Sequence, residues 1–188
     1  MSLIDTRQTI IDTLKEAFGS QVRQVIAHRG QFENLKEIQN IALKAPALLV
    51  CYRGFKNAHR YNGEVTANVQ WVVYILTRDQ RGADRNETAD ALNQKLIQLL
   101  PDNDWGLNAE NPEQIDGRNL SSLAIDKAGA CLWAVTWTQK MSWDDEYITS
   151  IDNWLTYHAD HYDENDSEHL MASDTVELTL DTSGGETS

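Results

Sequence analysis

The chain has 188 residues, 41% of them hydrophobic, and a formal net charge of −13 at pH 7. This length fits one globular domain with an added segment and is too short for two full domains. The first residues lack the basic and apolar regions of a signal peptide, and no window approaches the roughly 18 apolar residues of a membrane span. We therefore expect a soluble protein with no membrane partner.

The charge is unevenly distributed. All sixteen Lys and Arg residues lie in residues 1–140, with sixteen of the 29 Asp and Glu residues. The remaining thirteen acids lie in residues 141–188, which contain no Lys or Arg. We predict a formally neutral α+β domain over residues 1–142 and a partly ordered acidic C-terminal arm over residues 143–188. Nucleic-acid binding by the arm is disfavoured, because binding to phosphates requires Lys and Arg.

Helix and strand signals alternate in the first half of the domain. Ser2 and Asp5 have the spacing of a capping box, and an apolar stripe predicts a helix over residues 3–18. Val72, Tyr74 and Leu76 mark a second apolar face on a later strand, which should be covered on both sides. The elements after the first helix are, in order, a short strand (22–27), a helix (35–42), a buried strand (47–52), a polar loop (54–64) and an alternating strand (65–76).

The second half of the domain begins with a helix. Asp84 and Glu87 have capping-box spacing, and the apolar face that follows ends at Pro101. Residues 102–118 are polar and turn-rich. A hairpin follows, with its strands at 120–125 and 131–143 and its turn at 126–129. Strand pairs joined by short loops predict an α+β fold, with a mainly antiparallel sheet and helices packed on one side.

The acidic arm carries apolar signals of its own. An amphipathic helix is predicted over residues 147–157, solvated chain over 163–168 and a strand over 175–180, at an edge or in a docked arm. Trp143 and Trp154 either dock the arm on its own domain or meet a partner, since Trp is enriched at interfaces. The candidate partner contacts are Trp143, Tyr147, Trp154, Tyr157, Val176 and Leu178.

Sequence motifs for catalysis are absent, and we predict a protein that is not an enzyme and has no cofactor, catalytic residue or metal ligand. Cys51 and Cys131 lie in apolar runs and are interpreted as core residues. On a helix His158 and His161 would be adjacent, as metal ligands are, but a solvated acidic face is favoured there. Residues 163–174 fail as a calcium loop, because Glu and Asp occupy its sixth and twelfth positions.

The chain resembles the tail terminator (tail completion) proteins of Mu-like contractile-tailed bacteriophages and prophages. The resemblance covers roughly residues 1–142. It rests on the opening helix up to Phe18, the AlaProAlaLeuLeuValCysTyr stretch at 45–52, the strand AlaAsnValGlnTrpValValTyrIleLeu at 67–76, the ArgGly at 81–82 before the Ala89–Leu100 helix, and the strand LeuTrpAlaValThrTrp at 132–137. The arm departs from the family pattern.

The resemblance implies a structural virion protein that forms a ring, expected to be a hexamer, at the head-proximal end of the tail. Such a ring stops tube and sheath polymerisation and provides the surface that joins tail to head. The implied partners are other copies of the chain, the tail tube, the tail sheath and a neck or head-completion protein, with DNA only passing through the channel. The implied location is the host cytoplasm during assembly and then the virion.

Two other functions fit the same sequence. A neck or head-completion protein shares the size and the sheet-plus-helix build, and an acidic module that mimics DNA or binds a basic protein would use the arm. For the arm itself there are two hypotheses: it reaches an adjoining subunit or neck protein, or its carboxylates face the DNA channel and repel phosphate.

Overall fold

A computed structural model describes residues 2–144, 156–163 and 166–177, with side chains described for residues 2–143. The chain divides into two compact units, Met1–Trp143 and Asp144–Ser188. Within the described residues, no helix has both the length and the apolar character needed to cross a membrane.

Helices and strands alternate in the larger unit in the predicted order, except that the strand predicted over residues 120–125 lies earlier and an additional helix, α4, follows it. The helices are α1 (Leu3–Phe18), α2 (Leu35–Ala42), α3 (Arg85–Leu99) and α4 (Leu123–Lys127), and a 3-10 helix covers Gly19–Gln21. The strands are β1 (Gln24–Ala27), β2 (Ala47–Tyr61), β3 (Glu64–Arg78), β4 (Glu113–Asn119) and β5 (Ala130–Asp144).

The five strands form one sheet in the order β1-β2-β3-β5-β4. β1 is parallel to β2, whereas the pairs β2/β3 and β4/β5 are antiparallel. The predicted α+β fold is therefore confirmed. The predicted capping box also forms, because the Ser2 hydroxyl accepts a hydrogen bond from the Asp5 N–H and the Asp5 carboxylate accepts one from the Ser2 N–H.

Each face of the sheet packs against helices, whereas the prediction placed the helices on one side, because β3 and its neighbours carry apolar residues on both faces. On the first face, α1 and α3 cover a hydrophobic layer in which Trp71 and Trp137 are fully buried. On the second face, α2 and α4 cover a smaller layer that contains Val72, Tyr74 and Leu76. The predicted two-sided cover of β3 is confirmed, and the two shorter helices thus lie opposite the two longer ones.

The predicted hairpin strand over residues 120–125 is wrong. β4 lies earlier, at Glu113–Asn119, and α4 follows it. The Ser122 hydroxyl accepts a hydrogen bond from the Ile125 N–H, which caps a helix at the point where a strand was expected. Tertiary contacts decide the outcome here, because Ile125 is buried beside α2 in the second hydrophobic layer.

The polar loop predicted over residues 54–64 is also wrong. β2 continues to Tyr61, and the two residues Asn62 and Gly63 turn the chain into β3. Both have positive φ, 50° and 77°, as a type I′ hairpin turn requires. An Asn-Gly pair between extended segments is the sequence signal that favours this hairpin.

The smaller unit contains an antiparallel pair of strands, β6 (Thr156–Asp163) and β7 (Asp166–Glu177). Residues 156–157 therefore begin a strand, and the rest of the predicted helix over 147–157 lies outside the described residues. Residues 163 and 166–168, expected to be solvated chain, lie in the two strands, and Asp163 pairs with Asp166. The predicted strand over 175–180 is found up to Glu177.

Candidate interaction surfaces

The predicted partner contacts have different positions. Trp143 lies near the end of β5, where its half-buried side chain packs against the first hydrophobic layer. Tyr157 and Val176 are directly paired in the register of β6 and β7. Tyr147, Trp154 and Leu178 lie outside the described residues. Trp143 therefore has a packing role within its own domain, and Tyr157 and Val176 form one strand pair.

The possible metal site at His158 and His161 lacks the helical geometry on which it depended. His158 and His161 lie on β6, so the helical spacing that would make them neighbours is not formed. Within the part of the chain described with side chains, no group of three or more His, Cys, Asp or Glu residues could hold a metal ion.

A buried glutamine holds the turn-rich segment before β4 against the sheet. Gln139 is 0% exposed, and its Oε1 accepts hydrogen bonds from the indole N–H groups of Trp105 (2.7 Å) and Trp137 (3.3 Å). Its Nε2 donates to the carbonyls of Asn103 (3.2 Å) and Glu110 (2.7 Å). One fully satisfied amide therefore positions the segment that leads into edge strand β4.

Cys51, His28 and Glu37 lie next to one another between β2 and α2. In an enzyme, a cysteine beside a histidine and a carboxylate can act as a nucleophile. Cys51 Sγ is 3.7 Å from Nδ1 of His28, and His28 Nε2 is 3.5 Å from Oε1 of Glu37. The backbone N–H of Glu33 lowers the pKa of the Glu37 carboxyl, and Arg29 acts in the same direction.

The environment of this cluster disfavours nucleophilic chemistry. Burial raises the pKa of the Cys51 thiol to about 12, so the thiol is protonated at neutral pH. The backbone N–H of Gly30 donates a hydrogen bond to His28 Nδ1. This bond occupies the Nδ1 lone pair with which a general base would remove the proton of the thiol. Tyr74 and Phe32 pack beside His28. These contacts attach the segment after β1 to the sheet.

The second face of the sheet is open beyond its two short helices. α2 has eight residues and spans about 12 Å, whereas the 15-residue strands β2, β3 and β5 extend about 50 Å. Where the helices end, a shallow cavity of about 440 Å³ is lined by polar side chains, including Gln70, Thr136, Thr138 and Arg118. Because polar residues occupy this open face, it can meet either water or a polar protein surface.

Edge strand β4 beside this face is protected against uncontrolled strand pairing. A bulge lies between Glu113 and Asp116, and Gln114 has a φ of 51°. Arg118 pairs with Asp116 at 2.8 Å on the same exposed strand. Bulges and charges of this kind prevent an edge from adding strands at random.

The other distinctive surface is the distal part of β2, residues 53–61, here called the cationic strand end. The register of β1 reaches only Val50, so these residues have β3 as their one neighbouring strand among the described residues. They include Arg53, Lys56 and Arg60 and no acidic residue. Phe55 and Tyr61 expose 58% and 75% of their surface. The sequence did not reveal this surface, because the segment was predicted to be a loop.

These features define a class of protein: an α+β domain whose sheet has a polar open face and a cationic strand end. The comparison with known families is more specific. The chain matches the family described as "Bacteriophage Mu, Gp37" over residues 2–143. The chain belongs to this family, and the match supports a structural protein of the phage particle. No curated protein matches the chain.

Proposed function

We propose that the chain is a tail terminator that closes the head-proximal end of a contractile phage tail. The main support is that the family match extends over residues 2–143, almost the whole of the larger compact unit. The protein is proposed to form a ring, which is hexameric by resemblance to tail terminators. This ring stops polymerisation of the tube and the sheath and provides the surface to which the head joins. It assembles in the host cytoplasm and remains in the virion.

The proposed partners are other copies of the chain, the tube and sheath proteins, and a neck or head-completion protein. A ring needs head-to-tail contacts, in which two different surfaces of one subunit meet those of its neighbours. The polar open face and the cationic strand end adjoin at Arg53, which lines the cavity, and they extend from there over β5 and along β2 as two surfaces of one domain. DNA only passes through the channel of the ring.

The proposed role is assembly and not catalysis. The arrangement nearest to a catalytic one is the buried Cys51 cluster, where the raised pKa of the thiol and the occupied Nδ1 of His28 oppose nucleophilic attack. Its hydrogen bonds instead stabilise the fold around β2.

The deciding experiment is electron microscopy of lysates from a phage that lacks this gene, compared with the same phage complemented by the wild-type gene. We expect tails of uncontrolled length without heads, and restoration of uniform tails by complementation. Tails of normal length without heads would assign the protein to the neck or head. Intact virions in the absence of the gene would contradict any role in tail assembly.

The role of the acidic extension is tested in the same system. We propose that residues 144–188 contact an adjoining subunit or neck protein, because thirteen acids and the apolar Trp154 and Val176 occur there together. Complementation with a gene that lacks residues 144–188 should give tails that fail to join heads. Normal virions from the shortened gene would contradict this proposal.

A further inference from the structure

The cationic strand end has a charge opposite to that of the whole molecule. Its nine residues, 53–61, contain three Lys or Arg residues and no acid, whereas the complete chain has a net charge of −13. Opposite charges on one molecule attract a second copy in a defined orientation, because the cationic surface of one copy is complementary to the carboxylates of another.

Two cations of this strand end, Arg53 and Lys56, are available for such a contact. Among the residues described with side chains, neither Arg53 nor Lys56 forms an ion pair with a carboxylate. Other bases of the domain do: Lys15 pairs with Asp12, and Lys140 with Glu110. Both Arg53 and Lys56 are exposed on β2, so a partner can reach them without any change in the fold.

The geometry of the strand end favours a side-chain contact over the addition of another strand. Register shifts between Tyr52 and Gly54 and between Lys56 and His59 interrupt the backbone ladder twice. Such bulges increase local twist and make the open edge a poor template for an incoming strand. Exposed Phe55 and Tyr61 lie among the cations and add apolar contact area of the kind that anchors protein interfaces.

A second copy of this chain is the partner with the required chemistry. Each copy carries thirteen acids and no Lys or Arg in residues 141–188. Copies with this surplus repel each other, and repulsion must be offset wherever they assemble. We propose that the cationic strand end is a docking surface that binds the carboxylates of a second copy of this chain. The inference deepens the proposed ring and rests on it, since a cationic surface that meets an acidic one gives a head-to-tail contact.

The test is self-association of the purified full-length protein, measured by sedimentation velocity. Arg53→Glu combined with Lys56→Glu should weaken association about tenfold or more, because two attractions become repulsions. Lys36→Glu combined with Lys44→Glu makes the same change in net charge at exposed positions outside the strand end and is the matched control. All of these measurements are made at one ionic strength, about 0.1 M, because salt screens both the attraction at the strand end and the repulsion between the surplus acids.

Mixing distinguishes a head-to-tail contact from simple loss of folding. The Arg53→Glu/Lys56→Glu chain retains its own carboxylates, so it should still join a wild-type copy through the wild-type cationic strand end. We expect fluorescently labelled variant to co-sediment with wild type while it fails to associate with itself. Unchanged far-UV circular dichroism of the variant accompanies this measurement.

Several outcomes would overturn the proposal. They are a wild-type protein that does not self-associate at this ionic strength, equal weakening in the control variant, or a variant that fails to join wild type although it is folded. Duplex DNA binding that depends on Arg53 and Lys56, with self-association unchanged, would assign the surface to nucleic acid. Tails of uncontrolled length in the gene deletion would still support the terminator function in each case, so the two proposals fail separately.

Discussion

At the scale of single residues, Gln139 is a polar side chain with no exposed surface. Its amide forms hydrogen bonds with the indole N–H of Trp105 and the carbonyls of Asn103 and Glu110. A buried polar group without a partner costs about 1–3 kcal/mol, so the stability of the segment before β4 depends on this one side chain.

Gln139→Leu should therefore lower the free energy of unfolding by about 3 kcal/mol or more, because it leaves these three groups unpaired. Urea unfolding followed by tryptophan fluorescence measures the change. Gln98→Leu is the matched control on the exposed surface of α3 and should change stability by less than about 0.5 kcal/mol. Equal effects of the two substitutions would contradict the role assigned to Gln139.

Cys51 should make the domain less stable in alkaline solution. The pKa of its thiol is about 12 in the folded protein against an ordinary value of 9.0, so above about pH 9 the unfolded chain ionises and the folded chain does not. The thiol contributes fully to the free energy of unfolding below pH 9.0. As the pH rises above this value, the free energy of unfolding falls by about 1.4 kcal/mol per pH unit.

The measurement is the free energy of unfolding between about pH 9 and about pH 10, below the range where tyrosines dominate the titration. Cys51→Ala should flatten the decline, although it also creates a cavity. Val50→Ala creates a neighbouring cavity and retains the thiol, so its pH dependence should match that of wild type. A decline unaffected by Cys51→Ala would show that other groups cause it.

At the scale of elements, α3 begins at a cap that depends on charge. Asp84 Oδ1 accepts hydrogen bonds from the N–H groups of Asn86 (2.7 Å) and Glu87 (3.1 Å). The bonds from the Glu87 and Asn86 N–H groups lower the pKa of the Asp84 carboxyl below 3.8. Its stabilisation is therefore present above pH 3.8 and is lost as the pH falls through the lower value in the folded protein.

Asp84→Ala should lower Tm at neutral pH because it removes the cap, whereas Asp84→Asn should retain most of it through the amide oxygen. The stability of wild type should approach that of Asp84→Asn in acid, where the carboxylate is lost. Thermal unfolding followed by circular dichroism between about pH 3 and about pH 7 tests both statements. A Tm difference between wild type and Asp84→Asn that is as large in acid as at neutral pH would be inconsistent with a lowered pKa of Asp84.

Local signals in the sequence predicted most elements. Capping boxes, apolar stripes and the alternation along β3 depend on neighbouring residues, and they identified α1, α3 and β3. β4 escaped because a polar, exposed edge strand has no alternation and depends on its pairing with β5. The cationic strand end and the Gln139 contacts depend on residues far apart in the chain, which no local pattern reveals.

At the scale of the whole molecule, charge and fold are divided at nearly the same place. Residues 1–140 hold all the Lys and Arg residues and sixteen acids, and the family match ends at residue 143. The surplus of thirteen acids therefore lies outside the matched region. Net charge of this size keeps copies apart at low concentration, so assembly requires a surface of opposite sign or a partner that covers the acids.

The position of β5 in the sheet has a consequence for the order in which the protein can fold. β5 is the last strand of its sheet along the chain, yet it lies inside the sheet between β3 and β4. Until ribosomes have made residues 130–144, the long apolar β3 has an unpaired edge, and pairings between residues so distant in sequence form slowly. The domain is thus completed only when its last strand inserts, and the acidic residues synthesised next provide repulsion against aggregation of the newly made chains.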